Sequence, residues 1–398
     1  MKYVVLGTGI AGLTAAITIR ENDSNCEIVM VGDEKYLSYS RPMITKAPLK
    51  GFDVSKFIIK DEAWYQEHNI KIVTGAKVTS IEANSKTIIL SNGDTLVYDK
   101  CIYALGAKSF IPPIKGADHD IVTVVRTIDD VAKLRTKMLT AKKAVVVGGG
   151  VVGLEMAWEL KKVGMEVVIL EASKHLMGGL LDEQSADVFE SKIESVGIKI
   201  YTEVDIDVIG YNNQVVLKDG NSFPADLVIL SCGIAANTDV AIKAGIAVNR
   251  AVVVNDKMET SVKDIYACGD CAEYNGSNYA LWQQAISQAQ VAGANSCNKN
   301  VKYKDIERFI LFNGANTSLF AMGDFTSEKV SVHTYDDVCK KEFLVNERME
   351  TKNSYEKYFH IQGKIVGGVL IGDLSKMAKL KKSINETNNW LEVYDVSR

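Results

Sequence analysis

The sequence predicts an α/β protein that contains two copies of one parallel-sheet plan, followed by a smaller α+β domain. Three observations predict it. KYVVLGTGIAGLTAA at 2–16 passes from an apolar strand through a glycine turn into a helix pattern. KAVVVGGGVVGLEMA at 143–157 does the same. The strands that close each half, in YDKCIYALGA (98–107) and FPADLVILSCGI (223–234), correspond too, both running into a glycine. A repeated supersecondary plan is better explained by two like domains than by chance.

In chain order, KYVVL is the first strand, a helix starts near Ala11, and EIVMV and KIVTG continue the sheet. TIIL and TLVYD, joined through NGD, read as a hairpin inserted before the closing strand. Beyond YDKCIYALGAKSFIPPIKG the order begins again: AVVV, a helix through Lys162, EVVIL, a helix over 182–195, KIYT, a DG turn within VVLKDGNSF, then the closing LVILSC. The last hundred residues hold strand patterns in YEKYFHIQGKIVGGVLIG and a lysine-rich helix pattern in KMAKLKKSI.

Composition bounds the partners. The 398 residues are 47% hydrophobic with only 5 prolines, enough for two or three domains with their own cores. A net charge of −4 leaves no basic excess to attract nucleic acid or an anionic membrane. Strand begins almost at once, so no signal peptide is expected, and no apolar run reaches the roughly 18 residues of a membrane span. Seven scattered cysteines (26, 101, 232, 268, 271, 297 and 339), several within apolar strands, fit a reducing cytoplasm.

Each glycine turn has the spacing that holds a dinucleotide in Rossmann-like folds. In Gly7, Gly9, Gly12 and again in Gly148, Gly150, Gly153, the first glycine permits a tight turn and the second lets a pyrophosphate approach the backbone. The third lets helix and strand pack closely, with the helix N–H groups facing the phosphates. An acid follows at the end of the next strand, Asp33 (with Glu34 beside it) in the first copy and Glu171 in the second, placed to bind a ribose diol. Glu171 would repel a 2′-phosphate, which favours NADH over NADPH, although Lys174 and His175 lie just downstream.

A third segment, VVVNDKMETSVKDIYACGDCAEY (252–274), makes a resemblance specific. With the two glycine turns, it resembles the flavoprotein reductases that bind two dinucleotides, the pyridine nucleotide-disulfide oxidoreductases. Within them the chain is most similar to NADH:rubredoxin oxidoreductases and to the ferredoxin reductases of ring-hydroxylating systems. The resemblance covers residues 1 to about 300 well and the rest more weakly. It implies a discontinuous FAD domain (1–110 and 235–300), an inserted NAD(H) domain (111–234) and a C-terminal domain (301–398). It implies that Asp270, after Gly269, binds the ribityl chain, that Arg41 and Lys46 of YLSYSRPMITK lie beside the FAD, and that Glu155 pairs with Lys46 at the hydride-transfer face. Trp282 would flank the flavin, and Val78 would offer its backbone to adenine. The turn residues Thr8, Ile10, Ala11 and Val152, and Ala104, Gly106 and Gly233 at the strand ends, complete the expected cofactor-binding set. Leu105 departs from the usual Ala-Thr-Gly, so no hydroxyl is supplied there.

Many relatives pass electrons through a cysteine pair or a single reactive cysteine early in the FAD domain. This chain has none between Cys26 and Cys101, so a disulfide substrate lacks the thiolate that would attack it. Cys268 and Cys271 form a Cys-x-x-Cys, but one pair cannot complete a four-ligand zinc site and its Gly-Asp belongs to the FAD motif; Cys268 is expected beneath the ribityl chain. The five histidines show no helical pairing, and no metal is expected. The resemblance therefore implies hydride transfer from NADH to FAD, then single electrons to a small iron protein such as rubredoxin or ferredoxin. Lys376, Lys379, Lys381 and Lys382 could steer an acidic partner, or simply form a solvated helix face. Reoxidation by dioxygen, or a non-catalytic redox-sensing role, is the alternative.

Overall fold

A computed structural model describes residues 1–323, 331–336, 354–361 and 364–386. Its first sheet is wholly parallel, with strands in the order Ile265–Ala267, Lys100–Tyr103, Lys2–Leu6, Glu27–Val31, Ile70–Val73. The second repeats that order with Val122–Thr123, Leu227–Leu230, Lys143–Val147, Glu166–Leu170, Lys199–Tyr201. The edge strand beside the closing strand comes from late in the chain in the first sheet and from just ahead of the repeat in the second.

Each sheet carries a three-stranded antiparallel meander. One is Val78–Glu82, Thr87–Leu90, Thr95–Val97; the other is Ile206–Tyr211, Gln214–Leu217, Ser222–Pro224. Period-two alternation sorts the second sheet's buried residues into two faces. Val145, Val147, Val228 and Leu230 meet Ile209, Val215 and Leu217 of the meander, whereas Ala144, Val146, Leu227 and Ile229 meet Leu154, Leu160, Phe189 and Ile193 of the helices. The strands are therefore buried on both sides in a three-layer stack, which explains why they read as continuous apolar runs.

The helix Ile10–Asn22 packs against Trp282–Ser296, and Gly293 makes the approach possible: a Cβ there would lie 2.9 Å from the Ala15 carbonyl oxygen. Late sequence is thereby tied to the first sheet. A two-stranded antiparallel ribbon, Ala107–Ser109 with Ile234–Ala236, pairs the two segments by which the chain passes between the sheets, and the Phe110 N–H donates to the Gly233 carbonyl at 2.9 Å.

The C-terminal region is an antiparallel sheet in the order Phe309–Gly314, Thr317–Gly323, Lys364–Ile371, Tyr355–Ile361, Ser331–Asp336, with the helix Met377–Glu386. It docks on the second unit's helix Glu183–Ser195: Phe312 meets Phe189 edge-on with ring centroids 5.4 Å apart, and buried Lys357 donates to Asp182 at 2.5 Å and Gln184 at 2.9 Å. The lysine-rich helix is less free than its sequence suggests. Lys376 pairs with Glu356 at 2.8 Å, and the Lys381 ammonium stands 4.0 Å from the Phe309 ring centroid. Lys381 thus covers Phe309 and Phe320 in the manner of a long cation that lays its apolar stem on aromatic surface, and Lys376 is tied to the sheet by its ion pair. Cys339 lies outside the described residues.

Candidate functional site

The glycines divide into two physical classes in both copies. Gly7 and Gly148 adopt φ of +114° and +108°, and a Cβ on them would lie 2.0 Å from the Ala104 carbonyl oxygen and 2.3 Å from that of Ser231. A Cβ on Gly12 or Gly153 would meet the carbonyl oxygen of Gly7 or Gly148 at 1.9 or 2.1 Å. These four allow backbone to touch backbone. Gly9 and Gly150 are different: both have ordinary extended backbone, and among the described residues nothing lies within 4 Å of where their Cβ would be. They are the N-caps of Ile10–Asn22 and Val151–Lys162, and neither helix start has a side-chain cap. Each turn therefore presents open space in front of unpaired N–H groups at the positive end of a helix, which fits a dinucleotide pyrophosphate.

In the first unit, Gly269, at φ +81°, brings the Gly269–Cys271 turn against the helix start, with a hypothetical Cβ 2.8 Å from that of Ala11. Asp270 accepts from the Arg126 guanidinium. Arg126 in turn accepts on its carbonyl from Arg41 at 2.6 Å, and Arg41 donates to Glu34 at 2.6 Å. Tyr39 donates to the other Glu34 oxygen at 2.7 Å. Glu34 is thus held in the network while Asp33 is exposed at the strand end. Trp282 is half-buried at the first turn of its helix, Val78 is buried, and Gly106 (φ +64°) and Gly233 (φ +98°) have open space at Cβ.

In the second unit both Glu171 oxygens already accept backbone N–H groups, Gly149 at 2.6 Å and Ser173 at 2.7 Å. The carboxylate braces the glycine turn and keeps lone pairs for another donor. Val152, in the first turn of the helix Val151–Lys162, is 40% exposed.

Lys46 and Glu155 join the units. Glu155, 4% exposed in the helix Val151–Lys162, has one oxygen 3.8 Å from the Lys46 Nζ and the other accepting from the Thr45 hydroxyl at 2.5 Å. The 3.8 Å separation is an ion pair without a hydrogen bond, and that Glu155 oxygen is buried with no hydrogen-bond partner among the described residues. Burial raises the Glu155 pKa above the ordinary carboxylate range; Thr45 and Lys46 pull it down, and Glu159 adds to the rise.

Arg126, Tyr39 and Thr45 take part in this arrangement without having been singled out in the sequence. Arg126 had a detectable signal: it immediately precedes Thr127, which with Asp130 forms a capping box at the start of Ile128–Lys137, so its backbone position is fixed. Thr45 had none beyond its place next to Lys46.

The six described cysteines are free thiols. Cys268 and Cys271 are fully buried, and burial pushes the Cys271 thiol up to about 12 and Cys268 well above its usual value. The Cys271 Sγ donates to the Cys268 carbonyl at 3.3 Å, which describes an inert packed thiol. Among the described residues, no group of three or more His, Cys, Asp or Glu could hold a metal ion, and no helix is long and apolar enough to cross a membrane.

Comparison with known proteins agrees with this geometry. Residues 1–293 match the pyridine nucleotide-disulphide oxidoreductase family, and residues 311–388 match the rubredoxin NAD+ reductase C-terminal domain. The chain is 32% identical over 390 residues to an NADH-rubredoxin oxidoreductase of Clostridium acetobutylicum, covering 98% of this chain and 96% of that one. It superposes on a crystal structure of NADH:rubredoxin oxidoreductase from that organism with a TM-score of 0.81 and 30% identity, covering 100% of this chain and 99% of that one. It is also 32% identical over 405 residues to a nitrite reductase [NAD(P)H] of Bacillus subtilis; all of this chain is matched, but it spans only 48% of that relative. Doubled cradles, the Gly-Asp turn and a match over most of its length place this chain in the pyridine nucleotide-disulphide oxidoreductase family.

Proposed function

We propose that the chain is an FAD-dependent NADH oxidoreductase that passes electrons singly to a small iron protein such as rubredoxin or ferredoxin. The observation that carries this reading is the pair of open glycine cradles together with Lys46 set against Glu155 on the helix that Gly150 begins, in a chain with no cysteine between Cys26 and Cys101. When bound, FAD supplies the hydride-accepting and one-electron-releasing chemistry. The protein supplies alignment and charge. We assign residues 1–110 and 235–300 to the FAD unit, 111–234 to the NADH unit and 301–398 to the C-terminal domain.

In this reading the turn at Gly9 and the first N–H groups of Ile10–Asn22 hold the FAD pyrophosphate, and Asp270 takes the ribityl hydroxyls. Arg126, already hydrogen-bonded to Asp270 and to Arg41's guanidinium, brings positive charge to the same place. Gly150 and its helix hold NADH, with Glu171 on the adenosine ribose. In this reading Lys46 and Glu155 set the local charge where the two rings would meet.

Glu171→Gln is expected to raise the KM for NADH roughly tenfold, as loss of a hydrogen bond to a charged group does, and to narrow the preference for NADH over NADPH. Steady-state kcat/KM with both nucleotides checks this; an unchanged ratio would remove Glu171 from the ribose site. The function itself is tested by anaerobic turnover of the yellow protein with NADH against rubredoxin, ferredoxin and ferricyanide, beside an aerobic reaction. Reduction of an iron protein faster than of dioxygen supports the proposal. Fast turnover with dioxygen alone would make the chain an oxidase, and failure of NADH to bleach the flavin would leave a non-catalytic redox sensor.

A further inference from the structure

We propose that Thr45 is a positioning residue for Glu155: its hydroxyl holds one carboxylate oxygen, so that the other remains a single open acceptor beside Lys46. The inference rests on the reading of Lys46 and Glu155 as the reaction-facing pair and goes beyond it in naming what orients the carboxylate.

The geometry is asymmetric. Thr45 is 5% exposed and follows the short turn Arg41–Met43, whereas Glu155 stands on a helix of the other unit. Their 2.5 Å contact is at the short end of the range for a hydroxyl donating to a charged carboxylate. A hydroxyl has one proton to give. The competing acceptor, the Pro42 carbonyl, lies 3.5 Å away, so the proton belongs to Glu155. The remaining Glu155 oxygen is buried and has no hydrogen-bond donor among the described residues, and Lys46 at 3.8 Å offers charge without a hydrogen bond.

Consecutive residues of one loop therefore act differently on the two oxygens of one carboxylate. Thr45 fixes its rotation, and Lys46 favours its charge. Opposing them are burial and Glu159, one turn further along the helix, whose own carboxylate is bonded by Lys162 at 2.6 Å. Without the Thr45 hydroxyl the balance moves further toward the neutral acid. A neutral Glu155 carries a proton on one oxygen and can rotate, so the fixed acceptor is lost.

The test uses the FAD-loaded protein and the variants Thr45→Val, Thr45→Ser and Glu155→Gln. Two readouts are taken against pH: the single-turnover rate of flavin bleaching by NADH, and the carboxyl band of Glu155 by infrared difference spectroscopy, assigned by subtracting Glu155→Gln. Thr45→Val should move the Glu155 half-point upward by about one pH unit or more, the size expected for losing a hydrogen bond to a charged group, and Thr45→Ser should restore it. If Glu155→Gln leaves the bleaching limb in place, the limb does not belong to Glu155 and the underlying reading fails. If the limb vanishes in Glu155→Gln but Thr45→Val keeps the wild-type half-point, the positioning role is wrong and the pair survives. Equal displacement in the valine and serine variants would also overturn it, because the hydroxyl would not be the cause. Should Thr45→Val fail to retain flavin, Thr45→Ala replaces it, and the infrared half-point decides without turnover.

Discussion

Gly12→Ala is expected to give a colourless, poorly folded protein, whereas Gly9→Ala should fold normally and still bind FAD at least about 100-fold more weakly. The added methyl at Gly12 would stand 1.9 Å from the Gly7 carbonyl oxygen, so helix and strand must separate, at about 3 kcal/mol or more. At Gly9 the methyl meets nothing within 4 Å among the described residues, and the backbone at φ −73° suits any residue. Its harm is confined to the space assigned to the pyrophosphate. Circular dichroism and thermal melts of the apo-proteins, beside flavin titration, separate the two effects. The second copy should behave in parallel: Gly150→Ala stays yellow but is bleached by NADH far more slowly, and Gly153→Ala loses its fold. Normal flavin affinity in Gly9→Ala would move the pyrophosphate elsewhere.

Glu155→Gln should slow flavin reduction by NADH roughly 100-fold, the penalty of misaligning reacting groups, while making the protein more resistant to heat above neutral pH. Both follow from one carboxylate. Burial raises its pKa in the folded chain above the unfolded value, so folding favours the protonated form. The stability this lends is complete below the ordinary glutamate pKa and is lost as pH rises through the raised value. Glutamine never ionises. The Tm difference between variant and wild type should therefore be smallest in acid and grow as pH increases, with the variant the more stable at the alkaline end. Calorimetry across that range, with stopped-flow bleaching, measures both. A variant that is slower and no more stable at high pH would mean that Glu155 is not a buried, poorly satisfied charge.

The parts of this molecule visible in its sequence are those that neighbouring residues specify. KYVVLGTGIAGL and AVVVGGGVVGL each encode strand, turn and helix start within about a dozen residues, and the two meanders announce themselves through NGD and KDG turns. The Arg126–Asp270 and Thr45–Glu155 contacts span 144 and 110 residues of chain, and no local pattern encodes which polar side chains the fold will bring together. Long-range contacts also qualify the lysine stripe of KMAKLKKSI, where Lys376 and Lys381 remain partly exposed but each has a partner from elsewhere in the domain. Their partners, Glu356 and Phe309, lie on strands whose register is set only by the completed sheet.

The ribbon formed by Ala107–Ser109 and Ile234–Ala236 has an architectural consequence. A polypeptide that leaves a host sheet and re-enters it through adjacent, hydrogen-bonded positions can acquire or shed whatever lies between them without disturbing the host's strand order. Such a seam lets the stretch between residues 109 and 234 change in length or content while the strands on either side of it stay paired.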